Sequence, residues 1–261
     1  MTRRSLVGAW CPSLGATGFR MLDRSGRGNH GTLTNMASTA WTTSGGKGSL
    51  SFDGSNAAAN RVDCGRLPYL ENASALTFSF WSKWANNANA RAGFFSYSQS
   101  GQFANDIFFF NESSNYKIQI NNGSDGARVC FGAAPSKALH FCVVYDGGAS
   151  EKVTLSIDGT QQTLLGAFSY PATTSAGSAS HQFWIGGYAA FSTGFFLNGT
   201  IDDFRIYNRA LTPPEIRQLY VGGRGFGLLP DRPRRRGTAA AAAAFKAYWA
   251  RKQSQLIGGG L

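Results

Sequence analysis

The stretch Leu76-Thr-Phe-Ser-Phe-Trp-Ser-Lys-Trp84 alternates apolar and polar side chains over most of its length. Successive side chains of a β-strand point to opposite faces, so this pattern predicts a strand with one buried face. Clusters of Gly, Asn, Asp and Ser, which suit tight turns, separate similar short runs elsewhere. Many short strands at this spacing predict an all-β, antiparallel sandwich or barrel. The other runs are Ser49–Phe52, Asp106–Phe110, Tyr116–Ile120, Leu139–Tyr145, Val153–Ile157, Gln182–Ile185 and Thr200–Tyr207, with a hairpin at Asp158-Gly159 leading into Thr160–Leu165.

The overall composition agrees with a glycine-rich β-protein. Among 261 residues there are 33 glycines, and only 15% of the residues are charged, against about 25% in an average soluble domain. A coiled coil and an ordinary helical enzyme are therefore disfavoured. No apolar run approaches the roughly 20 residues that a membrane-spanning helix needs. The beginning of the chain does not resemble a signal peptide, so we expect synthesis in a cytoplasm.

The positive charge is unevenly distributed along the chain. The net charge is +11, yet residues 1–221 carry 17 Lys or Arg against 13 Asp or Glu. Residues 222–261 carry eight basic residues against one acidic residue, Asp231. A uniformly basic domain would indicate a surface for polyanions, whereas a basic tail indicates an arm that meets an acidic partner.

Two helices are predicted near the C-terminus. Thr212-Pro-Pro-Glu215 has a capping Thr, a Pro at the first helical position and a Glu at the third, so a helix should run to about Val221 and stop at Gly222-Gly223. After a linker at 222–237, Thr238 and six alanines begin a second, amphipathic helix within 238–261. It is interpreted as a docking element, and folding back onto its own sandwich is the alternative. The arm residues assigned to assembly are Arg232, Arg234, Arg235, Arg236, Phe245, Tyr248, Trp249 and Leu256.

Four cysteines, Cys11, Cys64, Cys130 and Cys142, lack any Cys-x-x-Cys spacing. This absence gives no support to a zinc site or a redox motif. Buried, reduced thiols are the expectation.

An ordered series of motifs carries a family resemblance over about residues 5–221. Asp23-Arg-Ser-Gly-Arg-Gly-Asn-His-Gly31 is similar to an Asp-x-Ser-Gly-x-Gly-Asn-x-Gly loop, and Gly199-Thr-Ile-Asp-Asp-Phe-Arg-Ile-Tyr-Asn-Arg-Ala-Leu211 is the most specific match. With these motifs the chain resembles the laminin-G-like, concanavalin A-like jelly-roll family, although Leu139 stands where Trp is usual. The resemblance implies a jelly-roll β-sandwich over residues 1–221 with a short closing helix. The remaining matching segments are Leu6–Trp10, Leu50–Gly54, Leu76–Trp81, Leu139–Gly147 and Ile157–Gly159.

Catalysis is not expected from these residues. Glycoside hydrolysis generally needs two carboxyl groups across the scissile bond. Asp202-Asp203 is the only adjacent acidic pair, and neighbours on a regular strand point to opposite faces. The family resemblance also implies a structural calcium held by Asp23, Asn29 and Asp202. The alternative is that Asp23 and Asn29 cap a turn by bonding to nearby backbone.

Glycan binding is a second functional prediction, because sugars stack on exposed aromatic faces. The candidate rings lie in two predicted loops, and core packing is the alternative for each of them. Phe108-Phe-Phe110 must face both sides of a sheet, so a second layer or a partner should cover one face. The candidates are Tyr97, Phe103, Tyr188, Phe191 and Phe195.

The leading hypothesis is a non-catalytic structural or adhesion protein of a bacteriophage virion, either a capsid decoration or a tail-associated component, because the Ala-rich ending resembles tails of phage structural proteins. The sandwich would face outward, with host cell-surface glycan as a candidate ligand, and the arm would dock to other virion proteins in a symmetric or homo-oligomeric assembly. Nucleic acid is not expected as a partner, because the arm lacks interleaved aromatic and basic residues. The alternatives are a free bacterial carbohydrate-binding or adhesion module and, less favoured, a glycoside-active enzyme.

Overall fold

The computed structural model describes residues 5–44, 46–55, 59–85, 91–99, 107–120, 127–131, 135, 137–163, 165, 169–188 and 195–225. All of them belong to one compact unit, Met1–Phe226. The arm residues assigned to assembly, together with Phe103 and Phe191, lie outside the described residues. No helix in the described part of the chain is long and apolar enough to cross a membrane.

Two antiparallel sheets form a β-sandwich, as the sequence predicts. The strands of the first sheet are β1 (Leu6–Trp10), β4 (Trp41–Ser44), β5 (Lys47–Asp53), β7 (Ala75–Ala85), β12 (Leu139–Asp146), β13 (Val153–Ile157), β14 (Thr160–Gln161) and β16 (Asn198–Tyr207). Those of the second are β2 (Arg20–Met21), β3 (Gly31–Thr34), β6 (Arg61–Asp63), β8 (Arg91–Gln99), β9 (Ile107–Glu112), β10 (Asn115–Ile120), β11 (Ala127–Phe131) and β15 (His181–Ile185). The order in the first sheet is β14-β13-β12-β7-β16-β5-β4, with β1 paired to β16, and the order in the second is β11-β10-β9-β8-β15-β6-β3-β2.

The core between the sheets is built largely from aromatic rings. On β7, Phe78 and Phe80 point inward, as the alternation predicts. The Phe80 ring stacks on Phe141 and Phe204 at centroid distances of 5.3 and 5.2 Å. Such aromatic pairs contribute about 0.5–1.5 kcal/mol each beyond the burial of their area.

A helix α1 (Pro213–Gly222) closes the outer face of the first sheet. Thr212 and Glu215 form the predicted capping box, and Gly223 follows the helix with a φ of 70°. Ile216 and Leu219 are buried, and the Tyr220 ring stacks on Trp81 of β7 at 5.8 Å. The sequence prediction of this helix is confirmed.

Two details differ from the sequence expectations. Strand β8 includes Tyr97, which the sequence places in a loop, because adjacent Phe94 and Phe95 at a register shift disguise its alternation. The strand after Asp158-Gly159 ends at Gln161 rather than continuing to Leu165. The turn itself has the two positive φ angles, 50° and 77°, that its Asp-Gly sequence favours.

Candidate functional site

The Asp23–Asn29 loop is organised by the Asp23 carboxylate. Its Oδ1 accepts hydrogen bonds from the amides of Ala9 (2.9 Å) and Ser25 (2.8 Å). Its Oδ2 accepts from the Ser25 hydroxyl (2.8 Å) and the Asn29 amide (2.9 Å). The Asn29 side chain donates to the Val7 carbonyl oxygen at 2.8 Å. A carboxylate offers about four acceptor positions, so Asp23 is saturated by its own chain.

This geometry does not fit the calcium site that the resemblance implies. A calcium ion would have to displace the N–H and O–H donors from Asp23, and the Asn29 amide group donates to protein backbone. Asp202 belongs to a different hydrogen-bonding network. Within the described residues, no group of three or more His, Cys, Asp or Glu side chains could hold a metal ion. The contacts favour the turn-capping interpretation of Asp23 and Asn29.

A β-bulge brings the adjacent acids Asp202 and Asp203 into one buried network, which corrects the expectation that they point to opposite faces. The pairing of β16 with β7 shifts register between Asp202 and Arg205, and Asp203 has a φ of 50°. Ile201 and Phe204, on either side, both point into the core. The extra residue of a bulge breaks the two-residue alternation.

Two arginines compensate these acids. The Arg205 guanidinium donates to both oxygens of Asp203, at 2.8 and 2.7 Å, and both side chains are 4% exposed. Arg224 lies 3.6 Å from Asp202 and donates to the Ser44 carbonyl oxygen at 2.7 Å. Burial raises the pKa of Asp202 to about 6. The network fastens the segment after α1 to the sandwich, because the Gly225 amide also donates to Asp203, at 2.9 Å.

The glutamates are held mostly as ionised partners of basic side chains. The hydrogen bonds from Arg66 lower the pKa of Glu71, and those from Arg209 lower the pKa of Glu215 to about 2. Burial raises the pKa of Glu112, but bonds from Lys117 and Arg91 outweigh burial and lower it. A general acid needs a raised pKa. Asp202 has a raised pKa, but it is only 1% exposed, so a substrate does not reach its carboxyl group.

The three aromatic glycan candidates that the structure describes are buried, so the prediction for them is corrected. Tyr97 is 2% exposed, and its hydroxyl donates to Glu71. Tyr188 stacks on Phe108 at 3.9 Å, and Phe195 packs edge-on against Phe108 and Phe110. Tyr188 and Phe195 are therefore part of the second layer that covers the outward-facing phenylalanines of β9. The layer that covers these phenylalanines therefore comes from the same chain.

A groove of about 370 Å³ with both polar and apolar lining residues lies on the first sheet. We call it the Lys83 groove. Ser51, Thr200 and Lys83 stand in one register row across β5, β16 and β7, and Lys83 is exposed. Lys83 forms no ion pair with a carboxylate in the part of the chain that the structure describes. The described residues that line it are Thr43, Ser44, Ser51, Phe52, Lys83, Trp84, Ala85, Asn198, Gly199 and Thr200.

The groove depends on close packing of β16 against β7. A Cβ atom at Gly199 would lie 2.2 Å from the Lys83 carbonyl oxygen, so only glycine fits there. The groove volume falls in the roughly 300–1,000 Å³ range of small-molecule sites. Sequence reasoning missed this site, because its residues come from strands far apart in the chain and only the sheet register aligns them.

A second cavity, of about 230 Å³, lies between α1 and the β12–β13 hairpin. Its polar lining includes Asp146, Glu151 and Lys152. The Asp146 carboxylate accepts the Gly148 amide at 3.1 Å, and the Lys152 ammonium donates to the Tyr170 carbonyl oxygen at 2.8 Å. Because it is smaller and its polar groups already have partners, it is the weaker candidate.

Cys11, Cys64 and Cys142 are buried and form no disulfide, as expected. Burial raises the pKa of each thiol well above its usual value. A buried thiol with a raised pKa is a poor nucleophile.

The fold and the sequence together define the class of the protein. A family model described as the concanavalin A-like lectin/glucanases superfamily, Laminin_G_3, matches residues 53–217. The chain belongs to this family. No curated protein sequence matches it.

Solved structures with the same fold include a sialidase and an arabinanase domain. Trypanosoma rangeli sialidase, in complex with a difluoro-KDN, is 14% identical with a TM-score of 0.56, and the match covers 84% of this chain and 33% of the sialidase. Domain 4 of an extracellular GH43 arabinanase from Geobacillus stearothermophilus, in complex with arabinotriose, is 19% identical with a TM-score of 0.59. That match covers 82% of this chain and 97% of the domain. This chain thus spans about a third of the sialidase, and at these identities the likeness shows the fold alone.

Proposed function

We propose that the protein is a non-catalytic, glycan-binding structural module of a bacteriophage virion, with the Lys83 groove as its glycan site. The observation that carries the proposal is the lining of this groove. Hydroxyl, amide and ammonium groups converge there, and these groups can hydrogen-bond to the hydroxyls of a sugar. Among the lining residues that the structure describes, none is an Asp or a Glu, which favours binding of a glycan over its hydrolysis by a pair of carboxyl groups.

The arabinanase domain gives the proposal a precedent of similar size, since it has the same fold and was solved with arabinotriose. The virion assignment is supported by the sequence. Basic residues and an amphipathic Ala-rich segment are concentrated after residue 226, beyond the sandwich. Such a segment suits docking to an acidic, partly apolar protein surface in a symmetric assembly.

Glycan binding is tested with the full-length chain on a glycan array, followed by titration calorimetry with the best ligand. Lys83→Ala should weaken binding about 5- to 30-fold, because it removes a charged hydrogen-bond donor worth about 1–2 kcal/mol. Lys137→Ala makes the same charge change at an exposed position outside the groove and should leave the affinity unchanged. Equal losses in both variants, or no array ligand at high loading, would contradict the groove assignment. Released reducing sugar would contradict the non-catalytic role.

Virion location is tested separately, by immunogold electron microscopy of purified particles. Labelled particles support the proposal. If the protein binds glycan but is missing from the particles, the alternative of a free bacterial carbohydrate-binding module is favoured instead.

A further inference from the structure

The Lys83 groove is bordered by a second lysine that has no carboxylate partner. Lys47 and Ser44 are register partners in the β4–β5 hairpin, and Ser44 lines the groove. Side chains directly opposite each other in an antiparallel pair lie on the same face of the sheet. Lys47, like Lys83, is exposed and forms no ion pair with a carboxylate in the described ranges. Two ammonium groups without a counter-charge therefore border the groove.

The sheet register determines how far apart the two lysines lie. Lys47 and Ser51 are four residues apart on β5, and both alternate with Leu50, which points into the core. Ser51, Thr200 and Lys83 form one row across β5, β16 and β7. With about 3.3 Å per residue along a strand and about 4.8 Å between strands, the two lysine Cα atoms are roughly 16 Å apart.

The other charged groups beside the groove do not remove this positive excess. Arg224 donates to the Ser44 carbonyl oxygen and to the Ser49 hydroxyl, and Asp202, 3.6 Å away, offsets its charge. Asp53 is exposed at the end of β5 that lies away from the hairpin, and its Oδ1 accepts the Ser55 amide at 2.8 Å. Against the two lysines there is thus one exposed carboxylate on this part of the described sheet.

The aromatic residues of the described lining are buried. Phe52 and Trp84 are each 2% exposed, so neither offers a ring face to a sugar or to a nucleobase. Stacked bases supply much of the affinity of sites for single-stranded nucleic acid. The polar groups of Ser51, Thr200 and Asn198 are the ones that remain beside Lys83 for hydrogen bonding. A ligand of this groove must therefore be held by hydrogen bonds and ionic contacts.

We propose that the ligand of the Lys83 groove is an acidic oligosaccharide, whose sugar carboxylates pair with Lys83 and Lys47. This inference rests on the proposed function, because it names the class of glycan that the same groove binds. Hydrogen bonds between an ammonium and a carboxylate are roughly twice as strong as those between neutral groups. The hydroxyl and amide groups of the lining suit the sugar hydroxyls. A separation of roughly 16 Å suits an oligosaccharide better than a single sugar.

The experiment is titration calorimetry of the full-length chain with an oligogalacturonate, which has one carboxylate per sugar. The matched ligand is its carboxyl-reduced form, in which each carboxylate is replaced by an alcohol. Lys83→Gln and Lys47→Gln are made singly and together, because glutamine removes the charge and keeps a hydrogen-bonding group. The control combines Lys137→Gln with Arg217→Gln, which removes the same charge from exposed positions outside the described lining.

We expect the oligogalacturonate to bind at least about tenfold more tightly than its reduced form, with the difference shrinking as salt rises. Each single variant should weaken oligogalacturonate binding about three- to fivefold, since one ionic contact is lost. The double variant should bind the two forms equally, whereas the control should bind within about twofold of the unmodified chain. Equal affinities of the unmodified chain for the two forms, or equal losses in the double variant and the control, would overturn the proposal. Lysine-dependent binding of duplex DNA that is tighter than that of the oligogalacturonate would overturn it too.

Failure of this inference is distinguishable from failure of the groove assignment. If the two forms bind equally and Lys83→Ala weakens both, the groove assignment holds and the acidic class is wrong. The same conclusion follows if neither form binds but a neutral glycan from the array binds in a Lys83-dependent manner. If no array ligand is sensitive to Lys83→Ala, the groove assignment itself fails.

Discussion

Replacing Arg205 with methionine should reveal how much the fold depends on the buried charges at the β16 bulge. Methionine fills much of the same space, but it leaves the Asp203 carboxylate without its two guanidinium bonds of 2.8 and 2.7 Å. Asp203 is only 4% exposed, so water cannot replace those bonds. Removing one partner of a buried ion pair costs about 3–5 kcal/mol. For a domain of this size, that loss corresponds to a fall in Tm of roughly 6–20 °C.

The double variant Asp203→Asn with Arg205→Met tests whether the cost comes from the stranded charge. Asparagine tolerates the positive φ of 50° at residue 203, and its carbonyl oxygen can still accept the Gly225 amide. The double variant should recover about 1–3 kcal/mol of the loss. Urea denaturation followed by tryptophan fluorescence measures both free energies of unfolding. A cost below about 1 kcal/mol for Arg205→Met, or a double variant as unstable as the single one, would refute this reasoning.

Further predictions concern the same network and its pH dependence. A chain truncated after Val221 should be less stable than one truncated after Phe226, because the shorter chain loses Arg224 and leaves Asp202 uncompensated; equal melting temperatures would contradict this role for Arg224. Burial lowers the pKa of His140 from 6.5 to about 3, so its neutral form contributes stability above pH 6.5 that is lost on acidification. Burial raises the pKa of Asp202 from 3.8 to about 6, so lowering the pH from 6 to 3.8 adds stability. This gain offsets part of the loss of stability that His140 causes on acidification. Asp202→Asn should therefore lose stability more steeply than the unmodified chain between pH 6 and 4.5, and parallel profiles in urea denaturation would contradict the pKa assignment.

Most of the strand layout could be predicted from local sequence, because apolar alternation marks the side chains that face the core wherever the ladder is regular. Leu76, Phe78 and Phe80 on β7 are such a case. The failures occur where the ladder is irregular. Adjacent Phe94 and Phe95 on β8 both enter the core at a register shift. They break the two-residue alternation, so the sequence of this strand resembles that of a loop.

The candidate site was less predictable. An aromatic residue in a glycine-rich segment can either pack against its own protein or stack on a sugar, and the local sequence is the same in both cases. Tyr188 and Phe195 pack against the outward-facing rings of β9, so the ring faces of Tyr188 and Phe195 are buried within the protein. The Lys83 groove has no local signature. Its Ser51, Lys83 and Thr200 become neighbours only through the pairings of β16 with β5 and β7, which depend on contacts between distant parts of the chain.

The bulge at Asp202-Asp203 also changes how the excess of basic residues is divided between the sandwich and the C-terminal tail. Arg224 counts with the C-terminal tail by position, but its contacts with Asp202, Ser44 and Ser49 make it part of the sandwich. Residues 227–261 then carry seven basic residues and one acidic residue. A regular strand would send only one of the two acids to this face and leave either Arg224 or Arg205 without a carboxylate. The irregularity in β16 therefore makes Arg224 a part of the sandwich, whatever its position in the sequence.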